Sequence, residues 1–116
     1  MAEMFKVEII TRQSKLEDLK EALNKIGING ITVTNVLGYG AQKGQRQVYR
    51  GVEYGVDLLP KVKVEMVVCT VPVDDVVNTA IKVLRTGEIG DGKIFISPVL
   101  RTIKVRTGEE DREALL

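Results

Sequence analysis

Two successive strand–helix–strand units, a glycine after each helix and one long insert between the units predict an α+β ferredoxin-like sandwich. In that architecture both helices cover one face of an antiparallel sheet. The insert, residues 38–60, falls between the second and third strands. An insert of this length inside a small domain is uncommon and is usually functional or disordered.

Each element has its own local reason. Phe5, Val7 and Ile9 alternate with Lys6 and Glu8, the period of a half-buried strand. Ser14-Lys15-Leu16-Glu17 fits a capping box, in which hydroxyl and carboxylate satisfy free helix N–H groups reciprocally. Leu16, Leu19, Leu23 and Ile26 then form one apolar stripe, and Gly27 is the expected stop. A strand over 31–37 follows. After the insert, Val62, Val64, Met66 and Val68 share one strand face. Pro72 and Asp74-Asp75 open a second helix, where carboxylates suit the positive end of the dipole. Val73, Val76, Val77, Ala80, Ile81 and Leu84 give its stripe, with Gly87 as its end. Strands are expected at 94–96 and 100–105, interrupted at Pro98. Val67 and Cys69 point to the face opposite Val64 and Met66, so burial of that face by oligomerisation is expected.

Composition narrows the class. The chain of 116 residues reads as one domain over 1–116, 44% hydrophobic and 28% charged. A net charge of +1 argues against bulk attraction to nucleic acid or anionic membrane. The absence of histidine removes His-based catalysis and the commonest transition-metal ligand. The single cysteine, Cys69, has no intramolecular partner and reads as a free thiol in a reducing compartment. The N-terminus lacks a signal-peptide pattern, and no apolar run approaches the roughly 20 residues that span a bilayer. A cytoplasmic protein is expected.

Three constellations are candidates for chemistry. Thr86-Gly87-Glu88-Ile89-Gly90-Asp91-Gly92-Lys93 joins a helix end to a strand, with the glycine loop at 85–93. Gly90 and Gly92 let backbone N–H groups approach an anion, and Lys93 adds a cation. The spacing is not that of a Walker loop, and taken alone the segment reads equally as a helix cap and tight turn. Lys104 and Arg106 fall on one side of the expected last strand and would extend a polyphosphate cradle, although a lone Lys-x-Arg pair is usually a solvated face. Lys61, at the foot of the insert, would hold a small carboxylate if it is not a solvated strand edge. Near the insert's tip, the stretch 49–54 carries Tyr49, Arg50 and Tyr54, two of the chain's three tyrosines, and so reads as a contact surface. The acidic residues of the tail, 107–116, read as a solvated end. No nucleophile–base pair stands out, so the chain reads as a nucleotide-binding module and not as an enzyme. An RNA-binding ferredoxin-like module is the alternative, weakened by only two phenylalanines on the expected strands. A nucleotide-hydrolysing enzyme is a third, weakened by the missing base.

Five segments in order make the chain resemble the PII nitrogen-regulatory signal proteins from about Phe5 to Asp111. They are 38–44 (Gly-Tyr-Gly-Ala-Gln-Lys-Gly), 49–54 (Tyr-Arg-Gly-Val-Glu-Tyr), 59–63 (Leu-Pro-Lys-Val-Lys), 86–95, and 106–111 (Arg-Thr-Gly-Glu-Glu-Asp). The resemblance implies a homotrimer with ATP or ADP in clefts between subunits, 2-oxoglutarate as effector together with Mg-ATP, and a mobile loop over 38–60 that docks on partners. It marks Gly90, Gly92, Lys93, Lys104 and Arg106 for phosphates, Thr32 and Val67 for the adenine, and Gly40 and Asp91 within the same nucleotide site. Gln42 is marked for Mg and 2-oxoglutarate, and Lys61 for a 2-oxoglutarate carboxylate. Tyr54 matches a tyrosine nucleotidylated in many relatives. Tyr49, Arg50 and Tyr54 match a docking tip that relatives present to partners such as an ammonium transporter or an enzyme or regulator of nitrogen metabolism. The pattern is departed from at four places. Ala41 replaces a frequent arginine near the nucleotide phosphates, and Lys104 replaces a common arginine, keeping its charge without the bidentate fork. Val52 stands where the signature prefers a small residue and some relatives carry a phosphorylatable serine, and Arg12-Gln13-Ser14 replaces the usual Lys-Pro-Phe.

Overall fold

The computed structural model describes residues 3–39, 47–49, 52–54 and 58–116. In chain order the elements are β1 (Phe5–Thr11), a 3-10 turn (Gln13–Lys15), α1 (Leu16–Lys25), β2 (Thr32–Gly38), β3 (Gln47–Tyr49), β4 (Val52–Tyr54), β5 (Leu59–Val68), α2 (Val73–Leu84), β6 (Lys93–Pro98) and α3 (Arg112–Leu115). Four strands form one antiparallel sheet in the order β2-β5-β1-β6. This is the α+β ferredoxin-like arrangement expected from the alternating elements. The insert between β2 and β5 adds a separate two-stranded ribbon in which Tyr49 pairs with Val52 and Gln47 with Tyr54.

Alternation decides which face becomes the core. On β1, Val7 lies opposite Met66 of β5 and Ile96 of β6, and Ile9 lies opposite Val64 and Ile94. Val7, Ile9 and Val64 are wholly buried, against Leu19 and Leu23 of α1 and Val76, Ala80 and Leu84 of α2. Leu16 and Ile26 flank this core as partly buried residues, so the stripe read from the sequence is the face that α1 buries. Both helices therefore lie on one face of the sheet. The opposite face is mixed: Lys6 pairs with Val67, Glu8 with Glu65 and Ile10 with Lys63. Glu65 lies 3.3 Å from both Lys6 and Lys63, and those bonds, Lys6 foremost, hold its carboxyl below the usual range. Phe95, opposite Glu8, adds an exposed aromatic ring to this face.

Gly27 ends α1 as expected. With φ at +99° it lets Ile28 N–H donate to Leu23 O and its own N–H to Asn24 O, both at 3.0 Å. That pair of bonds satisfies two terminal carbonyls. Three local expectations are corrected. The capping box at Ser14 does not form: a 3-10 turn precedes the helix, Lys15 occupies the cap position, and it makes no side-chain cap bond. Gly87 is not the cap of α2, which ends at Leu84 with Arg85 already extended. Gly87 serves the turn beyond it. The strand expected over 100–105 is absent apart from one bridge between Ile103 and Glu110. β6 is the edge of the sheet, and the segment folds back on its own continuation through Lys104 N–H to Glu109 O at 2.8 Å and Asp111 N–H to Thr102 O at 2.7 Å.

Leu19 of α1 is wholly buried in the core shared by both helices and the sheet, so its truncation leaves a cavity. Leu19→Ala is expected to cost about 2–5 kcal/mol, measured by urea unfolding.

Candidate functional site

The end of β1 is the mould for the glycine loop. Ile10 pairs with Lys93 at the start of β6, which brings the loop before it across Ile10 and Thr11. At Gly92 a Cβ would stand 2.0 Å from Ile10 O and 3.1 Å from Thr11 Cα, and φ is +113°. Glycine is therefore required by the chain's own backbone, whatever ligand the loop meets. Gly87 and Gly90 also have positive φ, at +89° and +105°.

Asp91 ties the loop together. Its Oδ2 accepts from Thr86 N–H at 2.7 Å and Gly87 N–H at 2.9 Å. Its Oδ1 accepts from the Thr86 hydroxyl and from Arg12 Nη1, the latter at 2.6 Å. Arg12 Nη2 also donates to Ile89 O at 2.9 Å. These donors, the Thr86 hydroxyl first and Arg12 next, hold the Asp91 carboxyl far below the usual carboxylate range. Thr11, wholly buried, donates its hydroxyl to Asp91 O at 2.9 Å. From β5, Lys61 Nζ donates to Gly90 O at 3.1 Å. Burial lowers the Lys61 pKa, with the charge of Arg12 adding to the effect and Asp91 opposing it.

The loop edges a cleft of about 340 Å³, where Lys61, Gly90, Gly92 and Lys93 meet Gly38 and Leu59, the two feet of the insert. A second groove of about 360 Å³ contains Thr32, Glu65, Val67 and Cys69, with Leu115 and Leu116 of the tail along it.

A family model described as Nitrogen regulatory protein P-II matches residues 4–109. The chain belongs to this family. It is 54% identical over 112 residues to Nitrogen regulatory protein P-II of Klebsiella oxytoca, and to Nitrogen regulatory protein P-II 1 of Escherichia coli K12. Each alignment covers 97% of this chain and 100% of the relative. Among solved structures, B. subtilis GlnK superposes with a TM-score of 0.82 at 49% identity, over 98% of this chain and 100% of that one. A B. subtilis GlnK–ATP complex gives 0.80 at 46% identity, over 97% and 98% of the two chains. An Arabidopsis thaliana PII bound to citrate gives 0.78 at 43%, over 97% and 92%.

The residues marked by the P-II resemblance fall into three groups. Gly90, Gly92, Lys93 and Lys61 come together at the first cleft, and Asp91 sits between the two glycines with its side chain turned to other partners. Within this group the Asp91 carboxylate faces inward onto four donors of its own chain, so it braces the loop. Thr32 and Val67 lie together in the second groove. Lys104 and Arg106 occupy the irregular segment that precedes the tail, not a strand. Lys104 Nζ donates to Leu116 O at 3.1 Å and lies 3.8 Å from Glu109, while Arg106 is exposed in a turn. Gly40, Gln42, Arg50 and the side chains of Tyr49 and Tyr54 lie outside the described residues.

Sequence reasoning assigned no role at the loop to Arg12, Thr11 or Thr86. One signal was present for Thr11: it is the polar residue in the buried series Val7, Ile9, Thr11, and a buried hydroxyl needs a partner.

A methyl group at residue 92 would displace the loop from β1. Gly92→Ala is expected to cost about 3 kcal/mol or more, read by thermal or urea unfolding. The depressed Asp91 pKa fixes a sign. Its stabilisation is fully present above the unfolded value and is lost only as pH falls through the folded one. The Thr86 and Gly87 amide NMR signals are thus expected to hold from pH 7 to about 4 and to move together only in stronger acid.

Proposed function

We propose that the chain is a nitrogen-, carbon- and energy-status signalling protein that binds ATP or ADP in clefts between the subunits of a homotrimer. 2-Oxoglutarate is its effector in the presence of Mg-ATP. Its output is regulation of a partner, such as an ammonium transporter or a nitrogen-metabolism enzyme or regulator, through the loop over 38–60. It is a cytoplasmic regulator and not a catalyst. The observation that carries this reading is the first cleft, where glycine backbone, Lys61 and Lys93 converge at the foot of the insert. Positive-φ glycines with a lysine at the rim suit phosphate oxygens. The position between Gly38 and Leu59 lets a bound anion bias the loop that leaves from those residues. The GlnK–ATP complex and the citrate-bound PII among the relatives support nucleotide and small polycarboxylate ligands.

The placement of the base-marked residues supports a shared site. Val67 pairs with Lys6 on one side of β1, and Lys93 pairs with Ile10 on the other. The four residue steps from Lys6 to Ile10 amount to about 13 Å along the strand. One chain thus presents a phosphate end and a base end apart from each other on the same sheet face. A cyclic assembly would set the glycine loop of one subunit against the Thr32–Val67 groove of the next. Among the described residues no cluster of three or more His, Cys, Asp or Glu offers a metal site. By the P-II resemblance, magnesium would be held by nucleotide phosphates and Gln42.

Titration calorimetry tests the reading. ATP and ADP are expected to bind, and 2-oxoglutarate only when Mg-ATP is present. If neither nucleotide binds at physiological millimolar concentration, the reading fails.

A further inference from the structure

We propose that Arg12 is a positioning residue for nucleotide phosphates: it clamps the loop on both sides of Gly90 and so aims the loop's N–H groups. The proposal rests on the nucleotide-binding reading above. Arg12 follows β1 directly, and its two terminal nitrogens serve different acceptors, Asp91 Oδ1 at 2.6 Å and Ile89 O at 2.9 Å. Those residues bracket Gly90, which has no side chain to fix its own conformation. Together with Lys61 on Gly90 O and Thr11 on Asp91 O, every carbonyl from residue 89 to 91 accepts a bond from a residue at the end of β1 or on β5.

A trans peptide places its C=O and the following N–H on opposite sides, and the chain has no cis peptide among the described residues. Holding the carbonyls of 89, 90 and 91 toward the strand ends therefore turns the N–H groups of Gly90, Asp91 and Gly92 the other way. Three successive N–H groups presented together form an anion-binding concavity. Arg12 supplies one of the three carbonyl anchors and also holds the carboxylate that gathers Thr86 and Gly87. The planar fork of arginine suits this double duty. A lysine reaches one acceptor as a point charge.

The test uses the full chain, with ATP and ADP titrated separately into wild type, Arg12→Gln, Arg12→Lys, Asp91→Asn and the Arg12→Gln/Asp91→Asn double variant. Arg12→Gln is expected to weaken both nucleotides about tenfold or more, since small misplacements of binding groups are costly. Arg12→Lys is expected to recover part of that loss. The double variant is expected to bind no worse than its weaker parent, because both changes break one clamp. If Arg12→Gln does not fold, a measurable loss in Arg12→Lys supports the proposal and wild-type affinity there overturns it. Arg12→Gln affinity within about twofold of wild type overturns it as well. So do single effects that multiply in the double variant, since Arg12 would then contact the ligand independently of Asp91. Absence of binding by the wild type would instead overturn the nucleotide reading itself, and this proposal with it.

Discussion

The carbonyl of Ile10 occupies the space where a Cβ at residue 92 would stand, and the candidate site is arranged around that contact. Because Gly92 lies against the end of β1, the loop is drawn into reach of Thr11 and Arg12. Because Ile10 lies between Lys63 and Lys93 in the sheet, the same strand end also faces β5, from which Lys61 reaches Gly90 O. One close backbone approach thus joins segments about eighty residues apart and gathers most of the charge near the cleft. Burial of Val7 and Ile9 keeps β1 fixed beneath it.

Charge at the cleft is organised internally before any ligand arrives. Arg12 is neutralised by Asp91, whose carboxylate is saturated by Thr86, Gly87 and Arg12. Such charge-assisted bonds are short and directional, which gives a glycine-rich loop a defined shape. Lys93 is exposed at the rim of the same cleft. A net charge of +1 over the chain therefore does not preclude a local anion site, since the cations are concentrated by topology. The insert starts and ends at this cleft, so under the proposed function a ligand there would favour one conformation of the loop by differential affinity.

What was legible in the sequence follows from the range of the interactions involved. Period-two alternation located β1 and β5, and the Leu16–Ile26 stripe located α1, because burial of one face repeats along a single element. Gly27 was legible because its left-handed conformation is a local requirement. Ser14 misled because a capping box also needs the chain to enter the helix at that residue, and a 3-10 turn intervenes. The alternation over 100–105 misled because a strand needs a neighbour, and this segment's partner is its own tail. The Asp91 carboxylate also braces the loop through four donors, and Arg12 anchors it from the end of β1. Both roles depend on pairs such as Arg12 and Asp91, 79 residues apart, which no local pattern encodes.

The central claim is that the glycine loop and the Thr32–Val67 groove are two halves of one site contributed by neighbouring copies of the chain. A crystal structure of the protein with ATP tests it most directly. The account predicts a trimer in which the phosphates of each ATP lie against Gly90–Lys93 of one subunit and the adenine lies in the Thr32–Val67 groove of the next. ATP held within a single subunit, or bound away from the glycine loop, would contradict it.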